Sequence, residues 1–178
     1  MQTTIAIPRP GADEFAPFYA GYIAGVPGDD ALPTLAAHIE RWHPSLRRLS
    51  EAQALHRYAP GKWSVKEVLG HLCDGERVFG YRALRFARAD ATPLPGFDEN
   101  AWAPAAGSDR RPVAEIADEL RAVRASTVAL FRSLDAVALA RRGEANGRTI
   151  SVRALGWIVA GHALHHETIL RERYGLGG

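Results

Sequence analysis

Cysteine is nearly absent. The single Cys73 excludes an internal disulfide framework and fits a reducing compartment, so a cytoplasmic location is expected. Lysine is scarce too: Lys62 and Lys66 stand against an arginine-rich remainder, a bias that reads as genome composition rather than function. Charge of one sign is also lacking. The formal balance is +2 over 178 residues and the arginines are scattered, which argues against nucleic acid as a partner. No apolar run approaches the length of a membrane span, and the first residues lack a charged-then-apolar signal pattern, so no membrane partner is expected. No internal repeat is visible.

What is present reads as one soluble, globular domain over residues 1–178, with 47% hydrophobic and 24% charged residues giving enough apolar side chain for a core. Residues 1–29 are rich in Pro, Gly and aromatics. Phe15, Phe18, Tyr19 and Tyr22 recur at helical spacing, which predicts a short flap laid over the main body. A first helix is expected at about 31–49, with Pro44 kinking or splitting it. His38 and His43 lie in it with no His partner at i+4, and read as surface or packing residues. Residues 50–63 are a connection.

A second helix is expected at about 64–89, opened by a capping box in which Ser64 and Glu67 satisfy each other's free backbone N–H. Its apolar side runs through Val65, Val68, Leu69, Leu72, Phe79 and Phe86. His71 flanks that stripe and can face a neighbouring helix. Cys73, about 200° around the helix from His71, reads as a small buried hydrophobe instead of a fellow ligand. Glu76 falls within the apolar stripe and needs a partner, either an Arg or the histidines themselves. Arg82, Arg85 and Arg88 recur every three residues; a solvated face is the expectation, an anion-binding strip the alternative. Residues 90–111 show no helical period and read as a long crossover whose Asp98, Glu99, Asn100 and Trp102 either close a pocket or only pack. A third helix is expected at about 112–134 with Pro112 at its first position. A turn at Arg142–Gly147 containing Asn-Gly follows. The fourth helix, about 151–174, is capped by Ser151 and ends before Gly175 and a glycine tail. With no convincing strand, the expected fold class is an all-α four-helix bundle with a long crossover between helices 2 and 3.

The segment Gly161-His162-Ala163-Leu164-His165-His166-Glu167 carries the chemistry. At about 100° per residue, His162 and His166 share the inward stripe with Leu155, Val159, Ile169 and Leu170. Two imidazoles at i, i+4 have metal-ligand spacing. His71 from the second helix supplies a third nitrogen, and three protein ligands leave coordination positions for water or substrate. His165 lies off the stripe, and the HExxH order of zinc proteases is missing. Imidazole suits several divalent transition metals: Zn or Ni come first, and Fe stays open. Glu76 and Asp98 are the candidates for a general base.

These residues resemble a known family. Tyr58-Ala59-Pro60-Gly61-Lys62-Trp63-Ser64 through Leu72 is similar to the second-helix signature of the DinB-like superfamily, of the YfiT-related kind. Gly161 through His166 followed by Leu170-Arg171-Glu172-Arg173-Tyr174 is similar to its last-helix signature, and Thr92 through Glu99 to its crossover. The resemblance spans about residues 15–174. It implies a four-helix bundle, a metal triad at His71, His162 and His166, and a homodimer. It also implies either hydrolysis or S-transfer from a small thiol cosubstrate (bacillithiol, mycothiol or glutathione) to a small-molecule substrate. Two other readings stand beside it: a non-enzymatic, stress-related metal-binding bundle, and a structural bundle with hydrogen-bonded histidines.

Overall fold

Four long helices form where the caps and apolar stripes place them. In the computed structural model, which describes residues 6–176, they are α2 (Ala31–Arg47), α4 (Val65–Ala87), α6 (Val113–Arg132) and α8 (Val152–Tyr174). Shorter pieces are α1 (Ala20–Gly25), α3 (Glu51–Ala54), α5 (Glu99–Ala106) and α7 (Ala136–Ala140). The first five residues of the N-terminal segment and the last two of the glycine tail lie outside the described residues. Helices α2 and α4 each pack on both α6 and α8, so α2 sits diagonally across the bundle from α4, and α6 from α8. The long crossover joins α4 to α6, which are neighbours in the bundle. Among the described residues no helix is long and apolar enough to cross a membrane.

Each long helix starts at a side-chain acceptor or a proline. Ser64 and Glu67 form the expected reciprocal box, with Glu67 N donating to Ser64 Oγ at 3.0 Å and Ser64 N to Glu67 Oε2 at 2.8 Å. Ser151 Oγ accepts from Ala154 N at 3.0 Å. Pro112 sits one residue outside its helix: its ψ of 132° is not helical, so Val113 is the first helical residue. Asp30 caps α2 and also accepts from Ile7 N at 2.8 Å, so one carboxylate starts a helix and anchors the N-terminal segment. Pro44 does not split α2, which continues to Arg47. It lies in the last turn, and Trp42, His43 and Leu46 on either side are buried, so packing offsets the lost backbone hydrogen bond.

Two expectations are corrected. Residues 142–151 are not a bare turn but an antiparallel hairpin, β1 (Arg142–Ala145) with β2 (Arg148–Ser151). Asn146 and Gly147, at φ 53° and 67°, form the tight turn, matching the right-handed twist of the strands. Four-residue strands bearing Arg, Glu and Arg offer too little alternation to read as strands. The crossover is not helix-free either: α5 occupies its middle, a two-turn helix too short to show a period.

The core is built in two halves. One gathers around fully buried Trp157, whose Nε1 donates to the Ile7 carbonyl at 3.0 Å, with Phe86, Phe131 and Leu155. The other packs Ile39, Leu69, Leu72, Ile116 and Leu120. Gly161 is where α1 crosses α8: a Cβ there would lie 2.1 Å from the Tyr22 carbonyl oxygen, so glycine is what lets the two backbones touch.

Candidate metal centre

The histidines meet where α4 packs on α8. His162 and His166 are one turn apart on α8 and therefore share a face. His71 projects from α4 so that its Nε2 lies 3.0 Å from His162 Nε2. One ligand nitrogen from each of the three falls within 4.8 Å of the other two. Gly75, one turn beyond His71, leaves space for the His162 ring, whose Cε1 would stand 3.2 Å from a Cβ at that position. Trp63 packs on His71 with ring centroids 4.9 Å apart, and Tyr22 on His162 at 5.4 Å. His165, off the inward stripe, faces Tyr22 instead.

Burial controls the electrostatics. It lowers the pKa of His71 to about 4 and of His166 to about 3, and it holds His162 well below its ordinary value. Neighbouring imidazoles add to the effect at His162 and His166, while the Glu99 carboxylate opposes it at His71. At neutral pH all three rings are uncharged, with a lone pair each. His166 Nδ1 is buried without a hydrogen-bond partner. Uncharged imidazoles from two helices, converging with an orphaned nitrogen, are a donor set for a divalent transition metal.

The cluster lines an open cavity of about 420 Å³. Its walls come from distant parts of the chain: Tyr19 and Tyr22 from the N-terminal segment, Trp63, Phe79 and Arg82 around α4, Phe97, Glu99 and Asn100 from the crossover. The crossover thus closes one side of the site, and Glu99 is the carboxylate of this lining among the described residues.

The two carboxylates put forward from sequence as proton acceptors are placed elsewhere. Glu76 turns toward α6, where Oε1 and Oε2 accept from Arg124 Nε and Nη2 at 2.7 and 2.9 Å. That leaves the Arg partnership, the other reading of this residue, as its role. Asp98 caps α5, its Oδ1 accepting from Asn100 N at 2.9 Å and Ala101 N at 3.2 Å; its neighbours Glu99 and Asn100 reach the cavity instead. His38 and His43 are packing residues paired with Glu167 and Asp118, each at 2.7 Å. Cys73 is buried, and burial pushes its thiol up to about 12. The flap tyrosines were legible only as aromatic packing and Trp63 only as the end of a connection, because nothing in their spacing says which helix they cover.

Comparison with known proteins bears on the fold and the family. YfiT from Bacillus subtilis, described as a probable metal-dependent hydrolase with an unusual four-helix bundle topology, superposes with a TM-score of 0.65 at 20% identity over 93% of each chain. The mycothiol-dependent maleylpyruvate isomerase superposes with a TM-score of 0.64 at 14% identity; 78% of this chain is matched, and 58% of that one. At such identities the likeness is one of fold. No curated protein matches the sequence significantly. The family model of the DinB superfamily, however, matches residues 34–169, a span that includes all three histidines, and the chain belongs to that superfamily.

Proposed function

We infer that this protein is a metal-dependent enzyme acting on small molecules, with His71, His162 and His166 holding one divalent ion, Zn or Ni before Fe. The observation that carries this reading is that the three imidazoles form part of the wall of an open cavity, not a sealed core cluster. An ion used only for structure needs no room beside it, whereas a reactive one keeps positions for water or substrate. That distinction favours the enzyme over the purely metal-binding bundle. A bound ion would acidify a coordinated water or thiol, which serves either hydrolysis or transfer from a thiol cosubstrate such as bacillithiol, mycothiol or glutathione.

The chain's own residues supply the remainder. Trp63 and Tyr22 pack against the rings and fix their orientation. Glu99 is the acceptor available to take a proton from a nucleophile in the cavity. The working assembly is a homodimer, an expectation that light scattering tests directly; a monomer mass removes it.

The central test is elemental analysis of protein purified without chelator or affinity metal, beside His71→Ala and His162→Ala. Near one Zn, Ni or Fe per chain is expected, lost in both variants. Absence of metal from all three, with unchanged helical content, would leave a bundle with buried histidines and end the enzyme reading.

A further inference from the structure

Arginines at 82, 85 and 88 predict a solvated strip on α4, but the fold separates them. Arg85 pairs with Asp90 and Tyr81 at the surface. Arg82 is only 4% exposed, and it opens onto the cavity of the three histidines. Its counterpart in the core, Arg124, has its charge matched by Glu76. For Arg82 no carboxylate lies within ion-pair distance among the described residues. Its Nη2 donates to the Pro95 carbonyl at 2.9 Å, and the Tyr19 hydroxyl stands beside it. A guanidinium has five N–H donors, so a carbonyl and a phenol leave it short of acceptors. A buried cation without an anion is costly. Of the two cavities that Arg82 lines, the one shared with the three histidines would bring an anion to it beside them.

The guanidinium is also held in place. Pro95 follows Leu94, which is tied to the hairpin by Leu94 N to Glu144 O at 2.9 Å and Asn146 N to Leu94 O at 3.0 Å. Gly96 packs so closely on Asn146 that a Cβ would lie 2.4 Å from its Oδ1. The rings of Phe79 and Phe97 flank the charge at 5.8 and 6.0 Å. Phe79 in turn lies 6.0 Å from the His162 ring, so the guanidinium is at most about 12 Å from that ring.

We propose that Arg82 anchors the substrate, and that the substrate is a small monocarboxylate with an apolar or aromatic body. The carboxylate meets the guanidinium fork, the body lies over Phe79 and Phe97, and the reacting end reaches the three histidines. This last placement rests on the metal-dependent reading of the cluster. A planar carboxylate matches the fork of a single arginine, and one guanidinium balances one charge. Glu99 on the same cavity opposes a second negative charge, which disfavours a phosphate dianion.

The test is calorimetric titration of the full-length protein, its metal content measured, with phenylacetate, its neutral isostere phenylacetamide, and phenyl phosphate. Phenylacetate is expected to bind at least tenfold more tightly than either of the others. Arg82→Met should abolish that preference with metal content and melting temperature retained, and Arg82→Lys should keep part of it. His162→Ala should keep the preference while losing the metal. Equal binding of phenylacetate and phenylacetamide to the wild type, or binding of neither, would overturn the proposal even if Arg82→Met fails to fold. So would a preference lost in His162→Ala and kept in Arg82→Met, which assigns the carboxylate to the ion, or tighter binding of phenyl phosphate. A wild type that shows the preference but contains no metal would sink the metal reading and leave the anchor standing.

Discussion

The Glu76–Arg124 pair sits with both side chains 4% exposed, and Arg124 Nη1 also donates to the Leu35 carbonyl at 3.3 Å. It joins α4, α6 and α2 through charge where the surrounding positions are apolar. Removing one partner leaves the other charge buried, so Arg124→Met should destabilise by roughly 3–5 kcal/mol in urea unfolding, whereas the double variant Glu76→Leu/Arg124→Met should recover most of that loss. Unaltered metal content in both would separate this pair from the histidine site. A second buried carboxylate, Glu14, makes a pH prediction. Burial pushes its pKa up, but hydrogen bonds from Arg153, the Gly11 N–H and Ser151 outweigh burial and hold it at about 2, against an ordinary 4.5. The unfolded chain takes up this proton first as pH falls. The stabilisation is therefore complete above about pH 4.5 and is lost on approach to pH 2. Melting temperatures across that window should fall more steeply for wild type than for Glu14→Gln; parallel curves would show that the pair contributes nothing.

Among the elements, the long helices follow directly from local chemistry: Ser64 with Glu67, Ser151, Pro112 and Gly175 mark their ends within a residue or two. The short ones do not, because their stability is borrowed. Helix α5 stands on its Asp98 cap and one buried Ala103, and the hairpin on its Asn-Gly turn and the Leu94 pairing. The α1–α8 crossing depends on a missing side chain. Gly161→Ala puts a methyl group against the Tyr22 backbone, which cannot rotate aside, so α1 must move off α8. A loss of about 1–3 kcal/mol is expected from thermal or urea unfolding. Tyr22 also packs on His162 and His165, so the same variant should increase exposure of the site, read as faster metal exchange with a chelator. Wild-type stability and exchange would mean that the flap is not seated by this contact.

At the scale of the molecule, the three histidines come from two helices that touch only when the bundle is assembled. An ion that binds the folded state and not the unfolded one adds stability by mass action, about 2.7 kcal/mol at a hundred times its dissociation constant. Zn or Ni should therefore raise the melting temperature of the wild type and a chelator lower it, while His166→Ala responds to neither. A wild type indifferent to both would show that the cluster does not couple to folding.

The sequence alone determined the four long helices, the crossover and the His162–His166 pair, because caps, apolar period and i, i+4 spacing are local properties of the chain. It also offered His71 as the third nitrogen, but only the packing of α4 on α8 brings that ring to 3.0 Å from His162. The roles of Glu76 and Arg82 on α4 were decided by tertiary structure. Glu76 and Arg82 both lie on a helix of amphipathic pattern, and nothing in their spacing says which meets a counter-charge. Arg124, 48 residues away from Glu76, answers for one. The crossover leaves the other facing a cavity. Partnership of buried charges is a long-range property, set by which helices become neighbours, and it becomes legible only once the bundle has formed.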